Sequence, residues 1–312
     1  MTGIKPYNIK PIAKDLDNVF RKTTGINPVM NLDKILNQNL IKNKKLLSTK
    51  MEDYLLVFDE GIKTIIRIHE LCKQNQIDNN KKGFSFTVLT AKLVTLSIGI
   101  RQMLYSGFVD CTKNLYRPFI ETIDVIFACL VNPDLNNSFA KINEIYDSND
   151  FYWKNFAKNK LEKDHLKLFK KIKITDDYIN YIIERRKSQR SFLSESIHVS
   201  FSSSMANFLM STIDWKMSDN YYGKITTAYP QLLMQIIEEI YLYNQIFFKT
   251  IDQKISPDFE HVKIDLLTDH YYRKFDSLYT LYCKPLYEKA EDFTKVFREI
   301  QDDLKNNNAN NT

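Results

Sequence analysis

The chain contains few residues that break helices: 7 glycines and 8 prolines among 312 residues. Sandwiches, barrels and doubly wound sheets use these residues at their many turns, so their scarcity argues against a sheet protein. Arginine is also scarce beside lysine, and the net charge is only +6. Because arginine is the side chain best matched to phosphate and guanine, this mild basic balance does not by itself indicate a nucleic-acid protein.

The four cysteines are widely separated and form no C-x-x-C pair. This excludes a zinc-finger spacing and a dense disulfide framework, and it fits a reducing cytoplasm. No signal segment begins the chain. The most apolar stretch, residues 88–100, is interrupted by Lys92 and falls short of the roughly 20 residues that span a bilayer. We therefore expect a soluble, cytoplasmic protein without a membrane partner.

What the sequence does contain is helical periodicity. Within residues 109–131, Phe119, Ile123 and Ile126 fall on one helical face. Residues 84–107 form an even more apolar segment, and only a short break at Gly107 separates the two. We therefore predict an antiparallel helical hairpin over about residues 84–131, with Pro118 kinking a continuous second helix.

The remaining periodic segments complete an all-α fold, an irregular helical bundle built around this hairpin. We divide the chain into an N-terminal arm (1–30) that docks on the main body, a single all-α domain (31–305) and a disordered tail (306–312). The expected additional helices cover residues 31–75 as one or two helices, 178–194, 228–252, 261–284 and 286–305.

Two polar features stand apart from the apolar pattern. Arg117, Glu121 and Asp124 form a row opposite the apolar stripe of the second hairpin helix, at three- and four-residue spacing. Residues 194–204 form a serine-rich stretch that contains His198, and we expect it to end the preceding helix. If this turn packs on the polar row, Glu121 and His198 come within hydrogen-bond or one-water reach, with Arg117 alongside.

The segments R-P-F-I-E at residues 117–121 and S-E-S-I-H-V-S at residues 194–200 carry a family resemblance. Together they resemble a bacterial family of helical domains of unknown function, which pairs an R-x-x-x-E helix with an S-x-x-x-H-x-S turn. That family is loosely similar to the HEPN domains of toxin and phage-defence systems. The resemblance spans roughly residues 85–210. It implies site roles for Arg117, Glu121, Ser194, His198 and Ser200.

The sequence matches neither of two catalytic motifs. HEPN ribonucleases use an R-x(4–6)-H motif on one helix, but here the nearest pair, Arg190 and His198, has seven intervening residues. A serine hydrolase built on Ser194 or Ser200 with His198 and Glu121 lacks the G-x-S-x-G elbow and the sheet that holds it. Both observations favour a protein that is not an enzyme.

The sequence contains weak signals for a metal site and for a nucleic-acid site. Glu162 and His165 form a lone E-x-x-H on a lysine-rich face that we predict to be solvated, whereas a di-iron bundle needs two such pairs. We therefore expect no metal and no cofactor. The basic stretch 154–190, which includes Arg186 and Arg190, is interleaved with aromatic residues and allows RNA binding, although its acids dilute the charge and favour an ordinary solvated surface.

The sequence thus predicts a helical interaction or sensor module of a bacterial defence or toxin-like system, without catalysis of its own. Its partner would be another protein or a second copy of the chain. The alternative is a divergent HEPN-like ribonuclease in which Arg117, Glu121 and His198 act on a phosphodiester. In the first case Ser194, Ser200, Arg186 and Arg190 would contribute to binding.

Overall fold

The computed structural model describes residues 10–25, 32–78, 83–141, 145–157, 160–197, 223, 225 and 229–284. These residues form eleven α-helices and no strand, so the predicted all-α fold is confirmed. The helices are α1 Lys10–Thr24, α2 Leu32–Lys50, α3 Glu52–Asp78, α4 Phe84–Ser106, α5 Val109–Val131, α6 Pro133–Ala140, α7 Ile145–Asn155, α8 Glu162–Lys171, α9 Asp176–Ile197, α10 Tyr229–Asp252 and α11 His270–Leu278. A 3-10 turn at Pro257–Phe259 precedes α11, and a π-helical turn at Tyr279–Cys283 continues it.

The predicted hairpin is present as α4 and α5. Gly107 ends α4 in the left-handed conformation at φ 78°, where a glycine carries no steric cost. Its backbone N–H donates to the Leu104 carbonyl. Pro118 lies inside α5, which runs as one helix from Val109 to Val131, as expected.

The core forms where α3 and α10 pack on this hairpin. Helix α10 is buried on almost every side, and its Tyr243 ring stacks on Phe127 of α5. The backbone of α3 approaches α10 closely at Gly61, because a Cβ added there would lie 2.9 Å from Ile240 Cγ2 and 3.0 Å from Phe275. Glycine is therefore the residue that lets α3, α10 and α11 meet.

One predicted helix boundary was wrong. The helix expected from residue 261 begins only at His270, because Asp265 and Asp269 bind nearby backbone instead. Asp265 Oδ1 accepts from the Leu267 N–H at 2.9 Å, and Asp269 caps α11 by accepting from the Tyr272 N–H at 3.0 Å. Helix α9 extends to Ile197, within three residues of the approximate end predicted at Ser194.

The outer helices differ in how far they are buried. Every side chain of α1 whose exposure the structure describes is exposed, including Leu16, Val19 and Phe20, so none of these contributes to the core. The expected final helix at 286–305 and the tail lie outside the described residues.

Among the described helices, α4 is long and apolar enough to cross a bilayer by length and composition, with 39% of that stretch buried. A core helix of a soluble protein meets the same criterion.

Candidate functional site

The polar row predicted on α5 is present, and its members have different surroundings. Arg117 Nε donates to Glu121 Oε1 at 3.0 Å, and both side chains are about one-third exposed. Such a solvated helical pair contributes only about 0.2–0.5 kcal/mol. Asp124, one turn further on, is buried, with a side-chain exposure of 3%. The row therefore runs from a surface pair into the core.

Asp124 is held by two arginines of α9. Arg186 Nε lies 3.0 Å from Asp124 Oδ1, and Arg190 Nη2 donates to Asp124 Oδ2 at 3.0 Å. The Arg186 approach has ion-pair distance without hydrogen-bond geometry, so Asp124 Oδ1 accepts no hydrogen bond from the described residues. Arg186 is itself buried, whereas 42% of the Arg190 side chain is exposed. Asp124 thus links a buried arginine to one that reaches solvent.

Helix α9 also faces two acidic residues of α10. Arg185 Nη1 lies 2.9 Å from Glu239 Oε2, and Arg185 Nη2 lies 3.2 Å from Glu238 Oε2. Arg186 Nη2 binds the second oxygen of Glu239. Glu239 is fully buried, so it depends on both arginines to compensate its lost hydration.

We call this group the charged seam; it consists of Asp124 on α5, Arg185, Arg186 and Arg190 on α9, and Glu238 and Glu239 on α10. Its three positive charges meet three negative charges, so the seam is neutral. It joins the three helices α5, α9 and α10. Buried ion pairs add little net stability against apolar alternatives, but they favour one arrangement of the helices over others.

Neutral polar side chains complete the seam. Gln189 Nε2 donates to the Tyr116 hydroxyl at 2.9 Å, and that hydroxyl donates to the Gln235 carbonyl at 3.0 Å. Arg186 Nη1 donates to Gln189 Oε1 at 3.2 Å. The hydroxyl of Tyr181 donates to Glu238. Most buried polar atoms of the seam therefore have partners, as a buried polar network requires.

The ionisation of the seam follows from its geometry. Burial raises the pKa of the Asp124 carboxyl, but the charges of Arg186 and Arg190 outweigh burial and lower it overall. Burial raises the pKa of the Tyr116 hydroxyl well above its ordinary value. Asp124 therefore stays ionised and Tyr116 stays neutral at ordinary pH.

A narrow cleft opens beside Asp124 between α5, α8 and α9. His165 of α8 lies in it, with Nε2 2.8 Å from the Asp124 carbonyl oxygen and its ring against Phe127 and Phe169. Since a carbonyl only accepts, the neutral ring carries its proton on Nε2. The cavity is about 40 Å³, which holds one or two water molecules. Lys187 and Arg190 also line the cleft.

The predicted site residues are only partly brought together. Arg186 and Arg190 both contact Asp124. Because Arg186 is buried in ion pairs, the two arginines do not form one exposed binding surface. Ser194 is half-buried on α9, two turns from Arg186. His198 and Ser200 lie outside the described residues, so the contact expected between Glu121 and His198 stays a prediction.

Sequence reasoning missed the roles of Asp124, Glu239 and His165. His165 was expected on a solvated face, but it packs against two phenylalanines because Phe127 and Phe169 bury that side of α8. The sequence of α9 contained a signal for the buried charges. Its buried positions have the spacing of an apolar helical face, but two of them are occupied by Arg186 and Gln189; these positions are 179, 182, 186, 189 and 193. The adjacent acids at 238–239 inside the apolar α10 were a second signal.

The basic stretch divides into two parts. Arg185 and Arg186 belong to the charged seam, and so they do not contribute to an exposed basic surface. The lysines of α8 and the following turn remain exposed: Lys163, Lys167, Lys170, Lys171 and Lys173. RNA binding through this exposed part stays a prediction. Within the described residues, no cluster of three or more His, Cys, Asp or Glu side chains is placed to hold a metal ion.

Comparison with known proteins adds no relative. No family model, no curated protein and no solved structure matches the chain. The class that the geometry defines is an all-α protein with a buried charged seam that reaches solvent at Arg190.

Proposed function

We propose that this chain is a helical interaction or sensor module without catalysis of its own, and that the outer end of the charged seam is its recognition site. A cytoplasmic setting is part of the proposal and rests on the cysteine spacing. A role in a bacterial defence or toxin-like system is also part of it and rests on the sequence resemblance. The observation that carries the proposal is the mixed environment of Arg190, which is 42% exposed and bound to the buried carboxylate of Asp124.

The Arg190 side chain is 42% exposed, so a binding partner can reach it from solvent. A partner that offers a carboxylate or phosphate competes with Asp124 for this arginine. When Arg190 leaves, Asp124 retains only Arg186 and the seam loses its charge balance. Helix α9 connects the seam to the half-buried Ser194, the first residue of the serine-rich stretch. Binding at the surface is thereby coupled to the position of α9.

Co-expression with the products of the flanking genes tests this role. We expect a complex of fixed stoichiometry by light scattering after size exclusion, and we expect Arg190→Ala to weaken it at least tenfold. The matched control is Lys163→Ala, which removes a fully solvated positive charge from the neighbouring helix α8. If Lys163→Ala weakens the complex as much as Arg190→Ala, general charge attraction and not the seam explains binding.

The alternative function, a divergent HEPN-like ribonuclease, has one observation in its favour. Arg117 and Glu121 are accessible, and both act electrostatically on the nearby Tyr152 hydroxyl. Cleavage of a labelled single-stranded RNA separates the two functions. We expect no cleavage by the wild-type protein. Cleavage that disappears in both Glu121→Gln and His198→Ala, with thermal unfolding unchanged, would establish the ribonuclease.

A further inference from the structure

An open cavity lies between α3 and the loop 260–269 that leads into α11. Its volume of about 360 Å³ is within the range of roughly 300–1,000 Å³ that small-molecule sites occupy. Most of the side chains that line it are polar or charged, and they come from α3, from the loop and from the first turn of α11. None of them lines the cleft beside Asp124, so this cavity is separate from the recognition site at Arg190.

Arg67 of α3 is held in place by an acid of the same cavity. Its Nε donates to Asp269 Oδ2 at 3.1 Å, and Asp269 Oδ1 accepts from the Tyr272 N–H at 3.0 Å. Both oxygens of this carboxylate are therefore engaged. The two Nη groups of Arg67 make no hydrogen bond to any described residue, and 37% of the side chain is exposed. A guanidinium fixed through Nε in this way presents its Nη pair for two-point binding of an oxyanion.

Two exposed side chains add further nitrogen donors to the lining. Lys263 lies in the loop, and His270 is the first residue of α11. Neither forms a hydrogen bond or an ion pair with the described residues. Lysine binds phosphate well as a point charge. Together with the Nη groups of Arg67, these side chains give the cavity donors that the described part of the chain does not use itself.

Asp265 gives the cavity the opposite chemistry. Its Oδ1 accepts from the Leu267 N–H at 2.9 Å, whereas its Oδ2 accepts no hydrogen bond from the described residues. With Asp269 it balances the charges of Arg67 and Lys263. A bare anion is therefore repelled by Asp265 as well as attracted by Arg67. A ligand that combines an oxyanion with a hydroxyl donor satisfies both kinds of group in the lining.

We propose that this cavity binds a phosphate monoester that carries hydroxyl groups, such as a pentose phosphate. The phosphate accepts from the Nη groups of Arg67 and from Lys263, and a hydroxyl of the ligand donates to Asp265 Oδ2. Phosphate is favoured over carboxylate because its three terminal oxygens can serve two separate cations at once. The proposal goes beyond the recognition site at Arg190 and does not rest on it.

Isothermal titration calorimetry of the full chain with ribose 5-phosphate is the first test, with inorganic phosphate and ribose as the partial ligands. We expect ribose 5-phosphate to bind at least tenfold more tightly than inorganic phosphate, and ribose to show no binding at the same concentrations. Because the ligand joins α3 to the loop of the folded chain, it should also raise the unfolding temperature. Absence of binding by ribose 5-phosphate, or equal affinity for inorganic phosphate, overturns the proposal.

Arg67→Lys tests the two-point contact, because it keeps the positive charge and removes the paired Nη donors. We expect the affinity for ribose 5-phosphate to fall at least tenfold. The matched control is Arg273→Lys, the same change at a 50% exposed arginine of α11 that does not line the cavity. Lys263→Ala, in the exposed loop, should weaken binding severalfold and keeps the test valid if Arg67→Lys lowers stability. If neither variant weakens binding more than Arg273→Lys does, the cavity is not the site.

Asp265→Asn distinguishes a hydroxylated ligand from a simple anion. The asparagine oxygen can still accept from the Leu267 N–H, but an amide donor replaces Oδ2. We expect ribose 5-phosphate to bind severalfold more weakly and inorganic phosphate to bind more tightly, because the repulsion by Asp265 is removed. Tighter binding of both ligands would show that Asp265 accepts no hydroxyl and would overturn the proposal. A 5′-phosphorylated RNA oligonucleotide that binds at least tenfold more tightly than ribose 5-phosphate, with the same loss in Arg67→Lys, would instead assign the cavity to RNA ends.

Discussion

The charged seam makes a quantitative prediction about the cost of removing one buried charge. Glu239 is fully buried and binds both Arg185 and Arg186, whose side chains are 11% and 10% exposed. The substitution Glu239→Gln keeps the size of the side chain but leaves the seam with three positive and two negative charges. Removing one partner of a buried ion pair costs about 3–5 kcal/mol, because the other charge stays buried without compensation.

The matched control is Glu121→Gln, the same chemical change at the half-exposed partner of Arg117. Because that pair is solvated, its loss should cost less than about 0.5 kcal/mol. Urea unfolding followed by circular dichroism measures both free energies. Unfolding temperatures give a second measurement, with an expected fall on the order of 5–10 °C for Glu239→Gln.

A compensating variant identifies charge balance as the cause. In the double variant Glu239→Gln, Arg186→Met, one positive charge is removed together with the negative one, and Asp124 keeps Arg190. We expect this variant to regain part of the lost stability, since apolar replacements of buried ion pairs are often tolerated. The reasoning is refuted if Glu239→Gln costs no more than Glu121→Gln, or if Arg186→Met adds its full cost to that of Glu239→Gln.

Three further predictions concern the core. Burial lowers the pKa of His165, so the free energy of unfolding should fall as the pH drops below about 6.5, and His165→Gln should flatten that part of a urea-derived pH profile. Gly61→Ala should destabilise by about 1–3 kcal/mol through overpacking, whereas Gly99→Ala, whose Cβ would meet only the movable end of Leu115 at 3.2 Å, should be nearly neutral by thermal melt. The amide of Asn244 is buried without a hydrogen-bond partner among the described residues, so Asn244→Leu should raise stability by about 1–2 kcal/mol, and a lower unfolding temperature would contradict this.

The helices could be predicted from the sequence because their burial follows a local repeat. The stripe of Phe119, Ile123 and Ile126 identifies the inner face of α5 without any knowledge of what covers it, and all three side chains are fully buried. The start of α11 could not be predicted in this way. Apolar spacing continues before His270, but Asp265 and Asp269 bind nearby backbone N–H groups, and this local competition decides where the helix begins.

The charged seam could not be predicted from spacing because its pairs join residues far apart in the chain. Arg186 pairs with Asp124, 62 positions earlier, and with Glu239, 53 positions later. A polar residue at a core position indicates that some partner must exist. It does not say which helix supplies the partner. The sequence therefore indicates that Arg186 needs a buried partner, but it does not identify Asp124 and Glu239 as the partners.

The seam also explains why α9 has a single position against its neighbours. Arg186 and Arg190 are one turn apart, so a shift of α9 by about 5.4 Å would exchange them at Asp124. In the shifted position Glu239 would lose Arg186, and a buried carboxylate would remain without its second partner. Apolar contacts are less specific, because a shift by four residues would put Ile183 in the place of Ile179. The charges thus fix the register of α9. A binding partner that takes Arg190 from Asp124 would act on the residue that maintains this register at the surface.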